Sequence, residues 1–356
     1  MNETVLFHTH GLGPFDFSSL IGAQLNALDD LAASRSAYLC PTIYLMPEKV
    51  APTRTLLAEF AAVRAAGGLQ RTLGFSIEGP VLGARGGIPT GSVWNPTAEK
   101  WREIASWFHL GLKYIVVSPD LLGLDEELER GFTFSDLLTL IYDAGGRVAL
   151  GHFAGISPTE SAIRVVRLLD YLESRYEPSP YLILTDHLFN DMPRNFRHAF
   201  RSPAELAARD AELAKVLNRA WVATDLSNLL GPVPSTLLAA AKAGRLTPSL
   251  NFDGGHVDLA ICKRVIEYLT PSRIIAITDH TEIDVLAGES LTKHADIDLY
   301  FRGDGVLAAS SANHERQRQN MIRIGLDETA IADMFYRTPL AALNFAPRRR
   351  ANDKKQ

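Results

Sequence analysis

Short runs of apolar, β-branched residues recur along the chain, separated by stretches whose apolar positions fall at helical spacing. The runs predict strands at Val5–Phe7, Ala37–Ile43, Thr72–Ile77, Tyr114–Val117, Val148–Gly151, Tyr181–Thr185, Ser249–Phe252 and Ile274–Ile277. Helices are expected at Leu56–Ala66, Ala98–Leu110, Thr133–Ala144, Ser161–Ser174, Ser235–Ala243 and Leu259–Leu269. Strands read as continuous apolar runs when both their faces are covered, as in parallel sheets. About eight strand–helix repeats in one chain therefore predict an α/β fold, a (β/α)₈ TIM barrel rather than an open sheet.

One stretch breaks the alternation. Residues 194–233 carry an Ala-rich helical segment, Ala204–Leu217, and a strand-like run, Ala220–Thr224. They are expected as an insertion after the sixth strand, at the mouth of the barrel, where insertions shape access. Residues 301–313 read as loop and Asp327–Leu343 as a terminal helix or helix pair. The expected organisation is one barrel domain over residues 1–345, then a basic, disordered tail over 346–356 containing Arg348-Arg349-Arg350 and Lys354-Lys355.

Composition narrows the function classes. With 36 basic against 41 acidic residues, a role on nucleic acid or an anionic membrane is not expected. Two cysteines, Cys40 and Cys262, give no disulfide framework, and both lie in apolar segments as expected buried thiols. The start, Met1-Asn2-Glu3-Thr4, lacks a basic region before an apolar run, and no long uncharged stretch follows, so a cytoplasmic location is expected. Trp94, Trp101 and Trp107 surround a helical segment and are expected to pack.

The candidate chemistry lies where the predicted strands end. Strand one ends in His8-Thr9-His10, strand three in Glu78-Gly79-Pro80 and strand five in Gly151-His152. Strand six ends in Asp186-His187, strand seven in Asp253-Gly254-Gly255-His256 and strand eight in Thr278-Asp279-His280. Barrel enzymes assemble their sites from these ends. Neutral imidazoles and carboxylates are the donors that Zn²⁺ favours, with Fe, Mn or Co as alternatives, so a divalent metal site of one or two ions is expected. Alternate residues of a strand share a face, which would turn His8 and His10 the same way.

These motifs together resemble N-acetylglucosamine-6-phosphate deacetylase, a member of the amidohydrolase superfamily. The family pattern runs H-x-H-G, E-G-P, G-H, H-L-F-N-A-M, D-G-x-H-V and T-D-A. This chain has His8-Thr9-His10-Gly11, Glu78-Gly79-Pro80, Gly151-His152, His187-Leu188-Phe189-Asn190-Asp191-Met192, Asp253-Gly254-Gly255-His256-Val257 and Thr278-Asp279-His280, in that order. The resemblance implies a metal-dependent hydrolase that cleaves an amide C–N bond, with an N-acetyl amino sugar as substrate and a homodimer as a common assembly. It implies Glu78, His152 and His187 as ligands of the main metal, His8 and His10 as holders of a second ion, and Asp279 as the catalytic acid/base touching the metal. Asn190, with its neighbour Asp191, and His256 would contact substrate.

The chain departs from the family on the substrate side. The H-x-H stands at residue 8, so the flanking β-sandwich is expected to be absent. Gly87-Ile88-Pro89 occupies the place of a G-x-H whose imidazole polarises the substrate carbonyl, and His280 is the candidate replacement. Asp191 replaces an alanine in a turn that faces the sugar phosphate. The phosphate-binding R-x-P-G is replaced by the insertion, where Arg194, Arg197 and Arg201 are the available cations. Two rival readings remain open. One is a different amidohydrolase for another N-acyl or cyclic amide, of the kind that bridges its metals with a carboxylated lysine; Lys113 precedes the apolar part of strand four rather than ending it. The other is a non-catalytic binding protein that retains the metal.

Overall fold

The computed structural model describes residues 3–197, 203–222 and 225–351. Eight parallel strands follow one another in sequence order around a barrel. They are β1 (Thr4–Thr9), β2 (Ala37–Tyr44), β3 (Phe75–Glu78), β4 (Leu112–Val117), β5 (Val148–Leu150), β6 (Leu184–His187), β7 (Thr247–Asn251) and β8 (Ile275–Ile277). The barrel closes just beyond β8, where the N–H groups of Thr278 and Asp279 donate to the carbonyls of Phe7 and His8 at 3.3 and 2.8 Å. Each of the eight predicted barrel strands is present, so the (β/α)₈ barrel stands.

The outer helices are α1 (Leu25–Ser34), α2 (Val50–Ala65), α3 (Ala98–Ser106), α4 (Phe134–Asp143), α5 (Pro158–Arg175), α8 (Pro232–Lys242) and α9 (Leu259–Leu269). Between β6 and α8 lie α6 (Pro203–Leu217) and the short α7 (Leu226–Leu230). The local sequence sets these boundaries. Asp258 caps α9 by accepting from the Ala260 N–H at 2.9 Å, and Thr133 and Asp136 form a reciprocal capping box on α4. Such caps contribute about 1 kcal/mol each. The buried face of α9, Ile261, Val265, Ile266 and Leu269, packs into the core between strands and helices.

A second apolar cluster fills the barrel interior. Phe7 stacks on Tyr114 at 5.1 Å between ring centroids, with Val5, Val116 and Ile277 around them. Ala342 and Leu343 of the terminal helix α11 (Thr338–Asn344) join this cluster and close the bottom of the barrel. The floor also holds the buried Arg147 at the start of β5, its guanidinium over Phe345, while the metal-binding side chains lie at the other end.

Several expectations change. Residues 301–313 are not a loop. They contribute to a four-stranded antiparallel sheet of β9 (Val285–Leu286), β10 (Glu289–Lys293), β11 (Leu299–Arg302) and β12 (Leu307–Ser310). Their apolar signal is weak for two reasons: in β10 only Leu291 is buried, and β12, although buried at Ala308, Ala309 and Ser310, is built of small residues. Helices α1 and α10 (His314–Arg323) were not anticipated. Residues 220–222 form no strand; the rest of that run, Arg201, and Lys354 with Lys355 lie outside the described residues. The basic end is docked as far as Arg350 rather than disordered from residue 346. Glu177 N–H donates to the Arg348 carbonyl, Arg350 N–H to the Arg175 carbonyl, and Arg349 pairs with Asp143. Among the described residues, no helix is long and apolar enough to cross a membrane.

Candidate metal centre

Eight side chains with metal-binding or proton-carrying groups meet at the C-terminal end of the barrel, and all are buried: His8, His10, Glu78, His152, Asp186, His187, His256 and Asp279. Glu78 is at the centre. Its Oε1 lies 2.7 Å from His152 Nε2 and 3.4 Å from His187 Nε2, while its Oε2 lies 3.4 Å from His8 Nε2 and 3.3 Å from His10 Nε2. Asp279 stands opposite, 3.2 Å from His10 Nε2 and 3.2 Å from His256 Nε2.

The backbone is bent to bring these groups together. His8, His152 and Asp279 have positive φ of 55°, 48° and 44°, a region that non-glycine residues occupy at a cost. His8 and His10 do face the same way, with ring centroids 5.2 Å apart. The means is not plain strand alternation, however, because the register of β1 shifts between Phe7 and Thr9 and the strand stops before His10. On β6 a register shift between Leu184 and His187 lets the successive residues Asp186 and His187 both reach the cluster.

Supporting bonds fix the rings. His152 Nδ1 donates to the Ala84 carbonyl at 3.0 Å, which leaves Nε2 free to face Glu78. Tyr44, at the end of β2, stacks on His10 at 4.4 Å and brings its hydroxyl within 3.1 Å of Nε2. His256 Nδ1 is held 2.5 Å from Asp253.

The electrostatics favour opposite charges in contact. Burial works against charge on His8, yet Asp186 and Glu78 raise its imidazole to about 9. Burial likewise opposes the shifts of His152, His187 and His256, which their carboxylate neighbours nevertheless raise. Glu78 goes the other way. Burial would raise it, but His8, His152 and His187 hold it well below the ordinary range. Asp279 is held at about 2 despite burial, chiefly by His256.

The donor set fits a divalent cation. His8, Glu78, Asp186 and His187 each offer a ligand atom within 4.8 Å of the others, and so do His8, His10 and Asp279. His8 Nε2, Glu78 Oε2, both Asp186 oxygens and His187 Nδ1 are buried without a hydrogen-bond partner. Buried polar atoms left in that state are costly, and imidazole with carboxylate is the chemistry of Zn²⁺ and similar ions.

The remaining expected residues fall as follows. Asn190 and Asp191 line the cavity above the cluster with Tyr44, His256, Ile88 and Leu307. Asp191 Oδ2 is 3.6 Å from His152 Nδ1. His280 does not join them. Its buried Nδ1 is 3.1 Å from Thr9 Oγ1, burial lowers it to about 4, and it is not among the residues lining the cavity. Arg194 donates to the Phe189 carbonyl at 2.6 Å and Arg197 is exposed. Lys113 lies at the start of β4, where burial lowers its pKa, and the strand leads instead to Asp120, which accepts from Ser118, Ser161 and the Ala154 N–H. The carboxylated-lysine arrangement has no counterpart among the described residues.

Sequence reading did not assign roles to Asp186, Tyr44 or Asp253. For Asp186 a signal was present: it stands beside His187 at a strand end, in a chain whose other strand ends carry the donors.

The cavity is covered. The loop around Gly87 presses against β12 so closely that a methyl on Gly87 would collide with the Leu307 carbonyl. Arg302 of β11 donates to the Ile88 carbonyl and to Thr90, and pairs with Glu289. Arg85 pairs with Asp304 at 2.9 Å. The open space left above the cluster is about 10 Å³, roughly one water.

The sequence matches no protein-family model and no curated protein. Solved structures are similar in fold. N-acetylglucosamine-6-phosphate deacetylase from Pasteurella multocida aligns over 96% of this chain and 76% of its own, at 14% identity and a TM-score of 0.68. The enzyme from Thermotoga maritima aligns over 96% and 78%, at 14% identity and a TM-score of 0.67. A mutant of the Mycobacterium smegmatis enzyme in complex with N-acetyl-D-glucosamine-6-phosphate aligns over 97% and 78%, at 18% identity and a TM-score of 0.66. At these identities the likeness establishes the barrel architecture.

Proposed function

We propose that this protein is a metal-dependent amidohydrolase that cleaves an amide C–N bond, and that an N-acetylated amino sugar is its substrate type. The observation that carries the reading is the convergence of imidazoles on Glu78, with Asp279 facing them across the same buried space. The similarity in fold to three N-acetylglucosamine-6-phosphate deacetylases supports it.

Glu78, His152 and His187 hold the principal ion in this reading, and His8 and His10 hold a second. When bound, the cation supplies Lewis acidity, lowering the pKa of water and drawing carbonyl charge to itself. Asp279 is the proton carrier: held ionised, it accepts a proton from the attacking water and returns it to the leaving amine. His256, anchored by Asp253, keeps Asp279 oriented and meets the substrate from the same side. Asn190 and Asp191 orient the substrate, and Ile88 and Leu307 exclude bulk water.

Asp191 bears on the substrate's charge. A carboxylate lining the cavity repels a phosphate, and Arg194 of the insertion is not among the residues that line it. This favours an N-acyl substrate without a phosphate, or a different small polar amide. The test is elemental analysis of purified protein together with acetate release from N-acetylglucosamine 6-phosphate and from its unphosphorylated analogue. Faster release from the unphosphorylated sugar supports the full reading. Preference for the phosphate ester overturns the argument from Asp191. Bound metal without turnover of either sugar or of a panel of N-acyl amides overturns the amidohydrolase assignment in favour of a binding protein.

A further inference from the structure

Asp186 has no part in the ligand set that the motifs imply, yet it is among the most thoroughly buried carboxylates in the chain. Its side chain has no solvent exposure, and neither of its oxygens has a hydrogen-bond partner. Both are aimed at the cluster. Oδ1 lies 3.3 Å from His8 Nδ1, and Oδ2 lies 3.3 Å from His152 Nε2 and 3.2 Å from His187 Nδ1. A methyl group on Gly151 would collide with its Cβ, so the neighbouring strand leaves room for this side chain and no more.

A carboxylate beside metal-binding imidazoles has two ordinary roles. It can accept the N–H of a ligating histidine and so orient it, or it can bind the ion directly. The first requires a well-aligned N–H, and the imidazole nitrogens 3.2–3.3 Å from Asp186 do not meet its oxygens in hydrogen-bond geometry. Resting on the metal-centre reading above, we infer that Asp186 is itself a metal ligand, and that the second ion of that centre is not retained without it.

Asp186 offers a ligand atom together with His8, Glu78 and His187, and His8 does so again with His10 and Asp279. The two Glu78 oxygens face different histidines, Oε1 toward His152 and His187, Oε2 toward His8 and His10, as a carboxylate shared between two ions would. Charge leads the same way. Glu78, Asp186 and Asp279 bring three negative charges into a space closed to solvent. Imidazoles that ligate an ion are neutral, so bound cations rather than imidazole protons must offset that charge. Uncompensated buried charge is the costliest state available to such a site.

The experiment is metal counting rather than catalysis. Wild-type protein and Asp186→Asn, both checked for native circular dichroism, are stripped, reloaded with Zn²⁺ or Mn²⁺, desalted and assayed by elemental analysis. The Mn²⁺ forms are also examined by electron paramagnetic resonance. Two ions per chain with an exchange-coupled manganese spectrum are expected for the wild type. One ion per chain with an uncoupled spectrum is expected for the variant. A variant that still retains two ions, merely 10- to 100-fold more weakly, would identify Asp186 as a positioning residue and overturn the inference. One ion in the wild type overturns it without reference to any variant, which covers the case in which Asp186→Asn does not fold. These counts are independent of amide hydrolysis. A two-ion protein inactive on amides sinks the proposed function alone, and an active amidohydrolase with an unchanged count in the variant sinks this inference alone.

Discussion

Asp279 Oδ2 lies 3.2 Å from His256 Nε2, and the other nitrogen of that ring is held 2.5 Å from Asp253. The imidazole is thus gripped between two carboxylates, one at the reacting cluster and one behind it. Asp279 has its other oxygen 3.2 Å from His10 Nε2, so its orientation is set from two sides. Asp279→Asn removes the proton carrier while preserving shape. We expect kcat to fall by about 10²–10⁴ with metal content unchanged. Loss of metal together with activity would instead make Asp279 chiefly a ligand.

Asp253→Asn tests the grip itself. His256 would keep its place but lose the partner that orients it, so kcat should fall by about tenfold or more with a smaller change in KM. An unchanged kcat would show that the ring needs no such anchor.

The metal-free protein should respond to pH in a direction the charges dictate. His8 is raised from 6.5 to about 9 by Asp186 and Glu78, against the effect of burial. Its contribution is complete below about pH 6.5 and is lost as pH rises through about 9. Asp279 is lowered from 3.8 to about 2, so its contribution is present above its ordinary value and is lost on acidification toward pH 2. Metal competes with the imidazole protons, so its affinity should rise across pH 6–9 with proton release. Thermal unfolding and titration calorimetry would read both effects. A metal affinity that is flat over this range would contradict the assignment of the imidazoles as ligands.

Removing the metal should destabilise the fold. An ion present at a thousand times its Kd contributes about 4 kcal/mol, so chelation should lower Tm by many degrees and re-addition of Zn²⁺ should restore it. An unchanged Tm would mean that the cluster satisfies itself without an ion.

The cover over the cavity gives a further prediction. An amino sugar cannot enter about 10 Å³, so the contacts among Arg302, Ile88 and Thr90 must part before binding. Arg302→Ala should loosen the cover and change kcat and KM together. Gly87→Ala should force the loop from the Leu307 carbonyl and expose the cluster, read as faster metal loss to a chelator. His280→Ala, behind Thr9, should leave kcat/KM within about tenfold of wild type, because the ring does not line the cavity. A loss near that of Asp279→Asn would reinstate His280 as a substrate-polarising group.

The helices show why parts of the fold were not legible. α9 has a continuous apolar face and was bounded correctly from its spacing at Leu259–Leu269. α10 buries Gln317 and Asn320 instead. Gln317 donates to the Thr278 carbonyl and accepts from the Phe252 N–H, while Asn320 donates to the Phe252 carbonyl. These amides hold the loops after β7 and β8 that carry His256 and Asp279 to the cluster. A helix whose core side is polar leaves no apolar period to read.

By itself the sequence determined the eight strands and the kinds of donor at their ends. Buried parallel strands must be apolar on both faces, so they stop visibly where polar residues begin. Tertiary structure alone decided which donors meet. The register shift on β6 carries Asp186 into the cluster beside His187, and the packing behind Thr9 takes His280 out of it. The cover over the cavity also belongs to the tertiary level. It depends on contacts between residues near 88 and residues near 302, and a close approach between segments so far apart in the chain leaves no periodic trace in either one.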